Sequence, residues 1–456
     1  MIEIIEKYNG IINDFIWGVP LIVLLLGTGV YFTIRLGFFQ ITKIKLIWKN
    51  VKDKVFIKKK DRKKGEIPSF QASLVSLGEI VGSGNIAGVA TAIAAAGPGA
   101  LVWMWIAAFF GMATKYAEIA LGILFRKQDK DGTYSAGPMY YLRDGARSKF
   151  LAGFYAVMAV LSYIVIVAMV DTNTIVEAIN AKWSVSPLII GIVLAIVVGI
   201  IIFGGVKRLG KFSNVFVPAM GVFYIIVGII VIVLNIDAVP NAFLTIFKSA
   251  FRPQAAAGGF LGASVAQIIR YGMARGMYSN EAGLGTAAIA HGPAKVDKPI
   301  EQALWGPVEI FIDTIIICTI SGLIITISGE WTSGESSAKL VMMAFNKTIP
   351  GTLGSYLVLI SSFMFSFTCL TSASYICEEC AQYLFGEKSK YVVRVLWLGF
   401  IILGAVTSLE LVWDLADTVN GFQAIPNLIG LLILSNLVIK ESKKYFKGKK
   451  EEKSQA

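Results

Sequence analysis

Residues 76–88 read Ser-Leu-Gly-Glu-Ile-Val-Gly-Ser-Gly-Asn-Ile-Ala-Gly and interrupt an apolar run long enough to cross a membrane. Gly78, Gly82, Gly84 and Gly88 fall within about three helical turns, and each glycine weakens a helix by roughly 1 kcal/mol relative to alanine. A break in the helix is expected there. Hydrocarbon tolerates unwound backbone only where it is buried in protein or lines a polar cavity, so the stretch marks a binding site near mid-bilayer.

The rest of the chain supplies the membrane setting. Its 456 residues are 55% hydrophobic and 16% charged, with a mean hydropathy of +0.68, which places it among polytopic membrane proteins. No cleavable leader is legible, and the first apolar run reads as a permanent span. The net charge of +12 sits in a few loops, as membrane topology requires, so no nucleic-acid partner is expected. Cys377 and Cys380 form a C-x-x-C without a second pair, which reads as structural.

About 20 apolar residues make one helical span. Measured against that length, the apolar runs give eleven spans, near 12–36, 68–97, 98–125, 150–179, 186–206, 212–236, 258–291, 300–328, 351–384, 390–407 and 416–438. The 42–65 loop carries lysines from Lys43 to Lys64 together with Arg62, which assigns it to the cytoplasm. Alternation from that anchor puts 126–149, 207–211, 295–298, 388–394 and the tail 440–453 on the same side. The N-terminus is then outside and the C-terminus inside the cell membrane.

A second interruption is expected within residues 270–285, where Gly272, Gly276, Gly283 and Gly285 accompany Ser279, Asn280 and Glu281. The first break lies in span 2 and the second in span 7, so each opens a block of five spans. Five is odd, and the second block must enter from the opposite side, which gives an inverted-topology repeat. The expected architecture is an all-α membrane protein of 11 transmembrane helices, one N-terminal helix plus a 5+5 inverted-repeat core with two broken helices. Its segments are 1–65 (extra helix and basic loop), 66–240 and 241–440 (the two repeats) and 441–456 (basic tail). Paired interruptions in inverted halves point to a secondary transporter; a lone glycine cluster would instead serve helix packing.

A helix restarting at Asn85 presents the amides of Ser83, Gly84 and Asn85 with the positive end of its dipole, which suits a carboxylate. The end that stops there presents the carbonyls of Gly78 to Val81, which suit a small hard cation or an ammonium. A broken helix therefore matches an amino acid end for end. Span 9 adds Thr368, Thr371 and Ser372 on one face, as hydroxyl ligands for a hard cation or as groups bonded back to their own helix.

Charged residues inside spans are costly and usually face an interior. Glu79 has three readings: an ion pair with Arg270 or Arg275, a proton site, or a cation ligand. Lys115 and Glu118, spaced i, i+3, are expected to satisfy each other. Asp171 either lines the outer approach to the site or lies near the interface, and Glu309 and Asp313 are candidates for a gate network.

Three motifs carry a family resemblance: Val-Gly-Ser-Gly-Asn-Ile-Ala-Gly-Val-Ala at 81–90, Gly-Pro-Gly-Ala-Leu-Val-Trp-Met-Trp-Ile at 97–106, and Arg-Gly-Met-Tyr-Ser-Asn-Glu-Ala-Gly-Leu-Gly at 275–285. Over essentially its whole length the chain resembles the alanine or glycine:cation symporter family, whose members have the fold of the sodium-coupled leucine transporter. The resemblance implies a sodium site at the carbonyls of Gly78, Val81 and Thr368 and the hydroxyls of Thr371 and Ser372. It implies a substrate site at Gly82, Ser83, Gly84 and Asn85, closed by Tyr163 and by a second broken helix at Gly272, Met273, Ala274, Gly276 and Met277; Glu79, directly before the first break, is added to that site from its own position. Pro98, Glu79 and Asp171 depart from the pattern expected of that family.

The function expected is sodium symport of alanine and glycine by alternating access, with sodium as coupling ion and no other cofactor. A proton-coupled carrier using Glu79 is the alternative. Membrane lipid is the surrounding partner, and no obligate protein partner is expected. The chain lacks H-E-x-x-H, G-x-S-x-G and the phosphate-binding G-x-x-x-x-G-K-[ST], so neither an enzyme nor an ATP-driven pump is expected.

Overall fold

A computed structural model describes residues 2–55, 66–129, 132–253, 255, 258–407 and 410–454. The stretch Lys58 to Lys64 of the first basic loop lies outside the described residues. The architecture is helical. In chain order the main helices are α1 (Ile2–Ile16), α2 (Val19–Arg35), α3 (Ser69–Ile80), α4 (Ala87–Ala96), α5 (Ala100–Leu124), α6 (Lys149–Asn180), α7 (Pro187–Ile202), α8 (Gly205–Leu234), α9 (Val265–Asn280), α10 (Thr286–Ala290), α11 (Pro299–Ser328), α12 (Leu353–Phe385), α13 (Ser389–Val406), α14 (Glu410–Ile433) and α15 (Ser435–Ser454).

Among the described residues six helices are long and apolar enough to cross a membrane, and up to eight if each bent pair is one span. The pairs are α3 with Ser83–Ala96, bent by 58°, and Leu415–Ile433 with Ser435–Lys449, bent by 59°. A helix falls in each of the eleven apolar runs. However, α2 and α7 have 17 and 16 residues, short of a full bilayer crossing, and α9 stops at Asn280.

Ile67 and Pro68, just before α3, pair in parallel with Ala294 and Lys295, just after α10. The start of one broken segment and the end of the other therefore meet at one end of the molecule. The basic loops gather at that end. Lys54 pairs with Glu301 at 2.8 Å, Arg126 donates to the carbonyls of Gly292 and Ala294, and Lys298 lies over the Tyr445 ring.

Close helix approach is set by small residues. A Cβ at Gly272 would lie 2.5 Å from the Ala100 carbonyl oxygen, and one at Gly276 would lie 3.3 Å from Ala107 and Met104. These glycines let α9 pack on α5. The helix runs unbroken through 272–277, and the interruption falls at 281–285, where Glu281, Gly283 and Gly285 have φ of 55°, 105° and 81°. The left-handed backbone there favours glycine, which explains the second pair of glycines and not the first.

Candidate functional site

The first break forms where α3 runs out of hydrogen bonds. The Val81 amide still reaches the Leu77 carbonyl at 2.9 Å, but the Gly82 amide turns to Asn85 Oδ1 at 3.0 Å, and Ser83–Asn85 make a single 3-10 turn before α4. The turn is held from outside. Asn85 Nδ2 donates to Asp313 Oδ1 at 2.6 Å, Ser279 and Thr314 donate to Asp313 Oδ2 at 2.9 and 2.7 Å, and Ser321 donates to the Asn85 carbonyl at 2.6 Å. The Gly82 amide and the Asn85 carbonyl thereby gain the partners that a helix would have given them, which is the condition for a break inside hydrocarbon, and the bonds to Asp313 fix the Asn85 side chain that serves the first. Asn85 thus fixes the loop and does not face the cavity beside it.

That cavity is lined by Glu79, Gly82, Ser83, Gly84, Tyr163, Asp171, Tyr278 and Glu281, with Ser162, Cys369 and Asn420. It encloses about 20 Å³, room for one water-sized group. Tyr163 comes from a π-helical turn, Ser162–Val167, which redirects its side chain out of the α-helical register. Its hydroxyl donates to Glu79 and also lies 3.1 Å from Glu281 Oε2, while Thr286 donates to the same Glu281 oxygen at 2.6 Å. Glu79 therefore meets Tyr163 and Glu281, and of its three readings the arginine pair is not the one observed. Arg275 pairs with Asp417 at 2.7 Å.

Asp171 faces the cavity and accepts the Ser83 amide on Oδ1 at 3.3 Å. The chain's own carboxylate occupies an amide that the sequence reserves for a bound one. The Tyr278 ring covers Gly84: a Cβ at Gly84 would sit 3.2 Å from it and from the Ser279 Cα. Met273 and Met277 point elsewhere, into a small apolar gap with Leu25, Ala107 and Phe110. Gly272, Met273, Ala274, Gly276 and Met277 thus do not line this cavity. One turn further along, Tyr278 and Glu281 do.

Of the expected cation-site residues, Gly78, Thr368 and Ser372 come together on the other side of the break. A Cβ at Gly78 would lie 2.9 Å from Ser372 Oγ, so α3 and α12 touch through this glycine. Ser372 Oγ is fully buried and has no hydrogen-bond partner among the described residues. Thr371 donates to the Thr368 carbonyl at 2.9 Å, and the Thr368 hydroxyl bonds back to Phe365 at 2.8 Å and contacts Met220 sulfur. Oxygen ligands of this kind suit a hard monovalent cation.

Other buried charges found partners that spacing did not indicate. Lys115 lies 3.6 Å from Glu309 and donates to the Asn280 carbonyl at 3.1 Å. Glu118 instead accepts the amides of Gly283 and Gly285 at 2.9 and 3.1 Å and the side chain of Asn427 at 2.8 Å, holding the second break. The expected Lys115–Glu118 pair does not form because each side chain is fully buried against a different helix. Glu309 also meets His291 at 2.9 Å and Ser76 at 2.8 Å, away from Asp313. These partners are distant in sequence; only the repeated occurrence of charge inside apolar runs signalled them.

Comparison with known proteins adds three findings. A family model described as the sodium:alanine symporter family matches residues 2–456. The sodium/alanine symporter AgcS of Methanococcus maripaludis is 42% identical over 454 residues, covering 98% of each chain, and the amino-acid carrier protein AlsT of Bacillus subtilis is 34% identical, covering 97% and 93%. The crystal structure of MhsT in complex with L-phenylalanine superposes with a TM-score of 0.59 at 16% identity, over 82% of this chain and 89% of that one, which identifies the leucine-transporter-type fold. With a family match from residue 2 to 456 and a fold match over 82% of its length, the chain belongs to the sodium:alanine symporter family of multi-pass membrane transporters.

Proposed function

We propose that this protein imports alanine or glycine together with sodium, by alternating access across a core of two inverted five-helix repeats preceded by one extra span. The observation that carries the reading is the divided chemistry of the break at 78–85. On one side the backbone next to Gly78 faces the unpartnered Ser372 hydroxyl; on the other, the Ser83 amide faces the cavity. A cation between α3 and α12 would be coordinated by the carbonyls of Gly78, Val81 and Thr368 with Thr371 and Ser372. The substrate would lie against Gly82, Ser83 and Gly84, its ammonium toward Glu79 and Glu281, under Tyr163 and Tyr278.

The cavity has to widen to admit any amino acid, and the packing of its walls favours small ones. Its walls close on Ile80, Val167 and Cys369, and a longer side chain would have to displace packed residues. Binding the substrate carboxylate at the Ser83 amide requires Asp171 to swing away, which couples occupancy to movement of α6. The cell membrane, with the basic loops and C-terminus in the cytoplasm, is the proposed location.

A second reading is favoured by one contact. Glu79 and Glu281 converge on one tyrosine hydroxyl in a buried site, an arrangement that suits a proton as coupling ion. Uptake of labelled alanine into proteoliposomes separates the two: a sodium gradient alone drives it on the first reading, a pH gradient without sodium on the second.

A further inference from the structure

A second cavity lies at the end that bears the basic loops. Its volume is about 350 Å³, against about 20 Å³ for the central one. It opens between the start of α8, Pro293 beyond α10, the last turns of α12 and the first turns of α13. The two broken segments meet at this same end, through the Ile67–Ala294 pairing.

Two ion pairs line it, and they are not equivalent. Glu378 is saturated: Arg394 donates Nε to one oxygen at 2.8 Å and Nη2 to the other at 2.6 Å, a closed fork that ties α12 to α13. Glu379 is only half used. Lys390 Nζ meets Oε1 at 2.7 Å, while Oε2, on a residue 2% exposed, has no partner among the described residues. A buried carboxylate oxygen left without a donor is costly, so a donating group admitted beside this cavity would be favoured there. Lys390, with three ammonium protons and one bond to Glu379, presents the opposite charge beside it.

The position of the pair links it to the central site. Ser372, Tyr375 and Glu379 are spaced i, i+3, i+7 and share one face of α12. Seven residues of helix span ~10 Å. Tyr375 and Glu379 both line the cavity, while Ser372 faces Gly78, so one polar stripe runs from the cation-site residues to this opening.

We propose that this cavity is a release station for the transported amino acid, in which the zwitterion seats its ammonium on Glu379 Oε2 and its carboxylate on Lys390. No covalent step is involved; the Glu379–Lys390 pair opens around a ligand carrying the same two charges. The inference rests on the amino-acid reading of the central site.

The test uses the full chain in sided proteoliposomes. Sodium-driven uptake of labelled alanine is measured against increasing unlabelled alanine on the basic-loop side. The double variant Glu379→Gln with Lys390→Gln keeps a hydrogen-bonded pair between α12 and α13 but removes both charges. The concentration for half-maximal trans-inhibition is expected to rise about a hundredfold, in line with two lost charge-assisted bonds at about tenfold each, with the KM for alanine on the opposite side unchanged within about twofold. The charge-swapped pair Glu379→Lys with Lys390→Glu should restore trans-inhibition.

Unchanged trans-inhibition in a transporting double variant overturns the proposal, since the pair would then only clamp two helices. A parallel change in the opposite-side KM overturns it as well, because the effect would then lie in the shared scaffold. If the double variant does not reach the membrane, Glu379→Gln alone decides by the same criteria. Absence of alanine uptake by the unaltered protein would refute the central reading instead, so the two failures are distinguishable.

Discussion

Replacing Ser372 with alanine should separate cation binding from stability. Ser372 Oγ is buried, faces Gly78 across the α3–α12 contact and has no hydrogen-bond partner among the described residues. Removing an unsatisfied hydroxyl removes a desolvation cost, so the folded protein should be as stable as before or slightly more so. Removing a ligand from a cation is different: one polar contact to a charge is worth about 1.5 kcal/mol, roughly tenfold in affinity. The variant should therefore need about tenfold more sodium for half-maximal alanine uptake, with an unchanged thermal midpoint. Thr371→Ala should act in the same direction, although it also releases the Thr368 carbonyl from its 2.9 Å bond. The assay is uptake into proteoliposomes across a sodium series, paired with thermal unfolding in detergent. A sodium dependence identical to that of the unaltered protein would refute the cation-site assignment, and a large loss of stability would show that the hydroxyl has a structural partner.

Glu79→Gln keeps an acceptor for Tyr163 but removes a charge that faces the substrate ammonium, so sodium-driven uptake should persist with a raised KM for alanine; pH-driven uptake by the unaltered protein that this variant loses would select the proton reading. Glu118→Ala leaves the Gly283 and Gly285 amides and the Asn427 side chain without their acceptor and should cost about 3 kcal/mol, while Glu118→Gln should retain most of the stability; thermal unfolding of both variants checks this. Lys115→Met strips the buried Glu309 of its lysine and should destabilise by about 3 kcal/mol or more, read by the same method. Arg275→Ala breaks the pair with Asp417 near Tyr278 and should speed labelling of the cavity thiol Cys369 by an impermeant maleimide added from that side, with alanine protecting.

The first break was legible because its glycines, polar residues and apolar flanks coincide in one short stretch. The second was legible only as a region. Gly272, Gly276, Gly283 and Gly285 look alike in sequence, yet the first two allow α9 to approach α5 and the last two adopt left-handed backbone. Glycine serves both helix packing and a helix end, and the deciding facts, the Ala100 carbonyl against Gly272 and the Glu118 carboxylate under Gly283, come from another helix. The cavity residues divide in the same way. Ser83 and Tyr163 were visible as a helix start and as an aromatic on the expected span, whereas Tyr278, Glu281 and the Ser83–Asp171 contact depend on how three helices meet. Lys115 and Glu118 mislead for a related reason: i, i+3 spacing on an exposed helix favours pairing, but full burial gives each side chain a partner in a different helix.

The central claim is that a sodium gradient drives this protein to accumulate a small amino acid. Uptake of labelled alanine into proteoliposomes under an imposed sodium gradient, an imposed pH gradient or neither, with unlabelled amino acids as competitors, tests it most directly. The account expects accumulation only with sodium, competed by glycine and unlabelled alanine. Accumulation driven by the pH gradient in sodium-free buffer, or alanine entry that never exceeds equilibration, would contradict it.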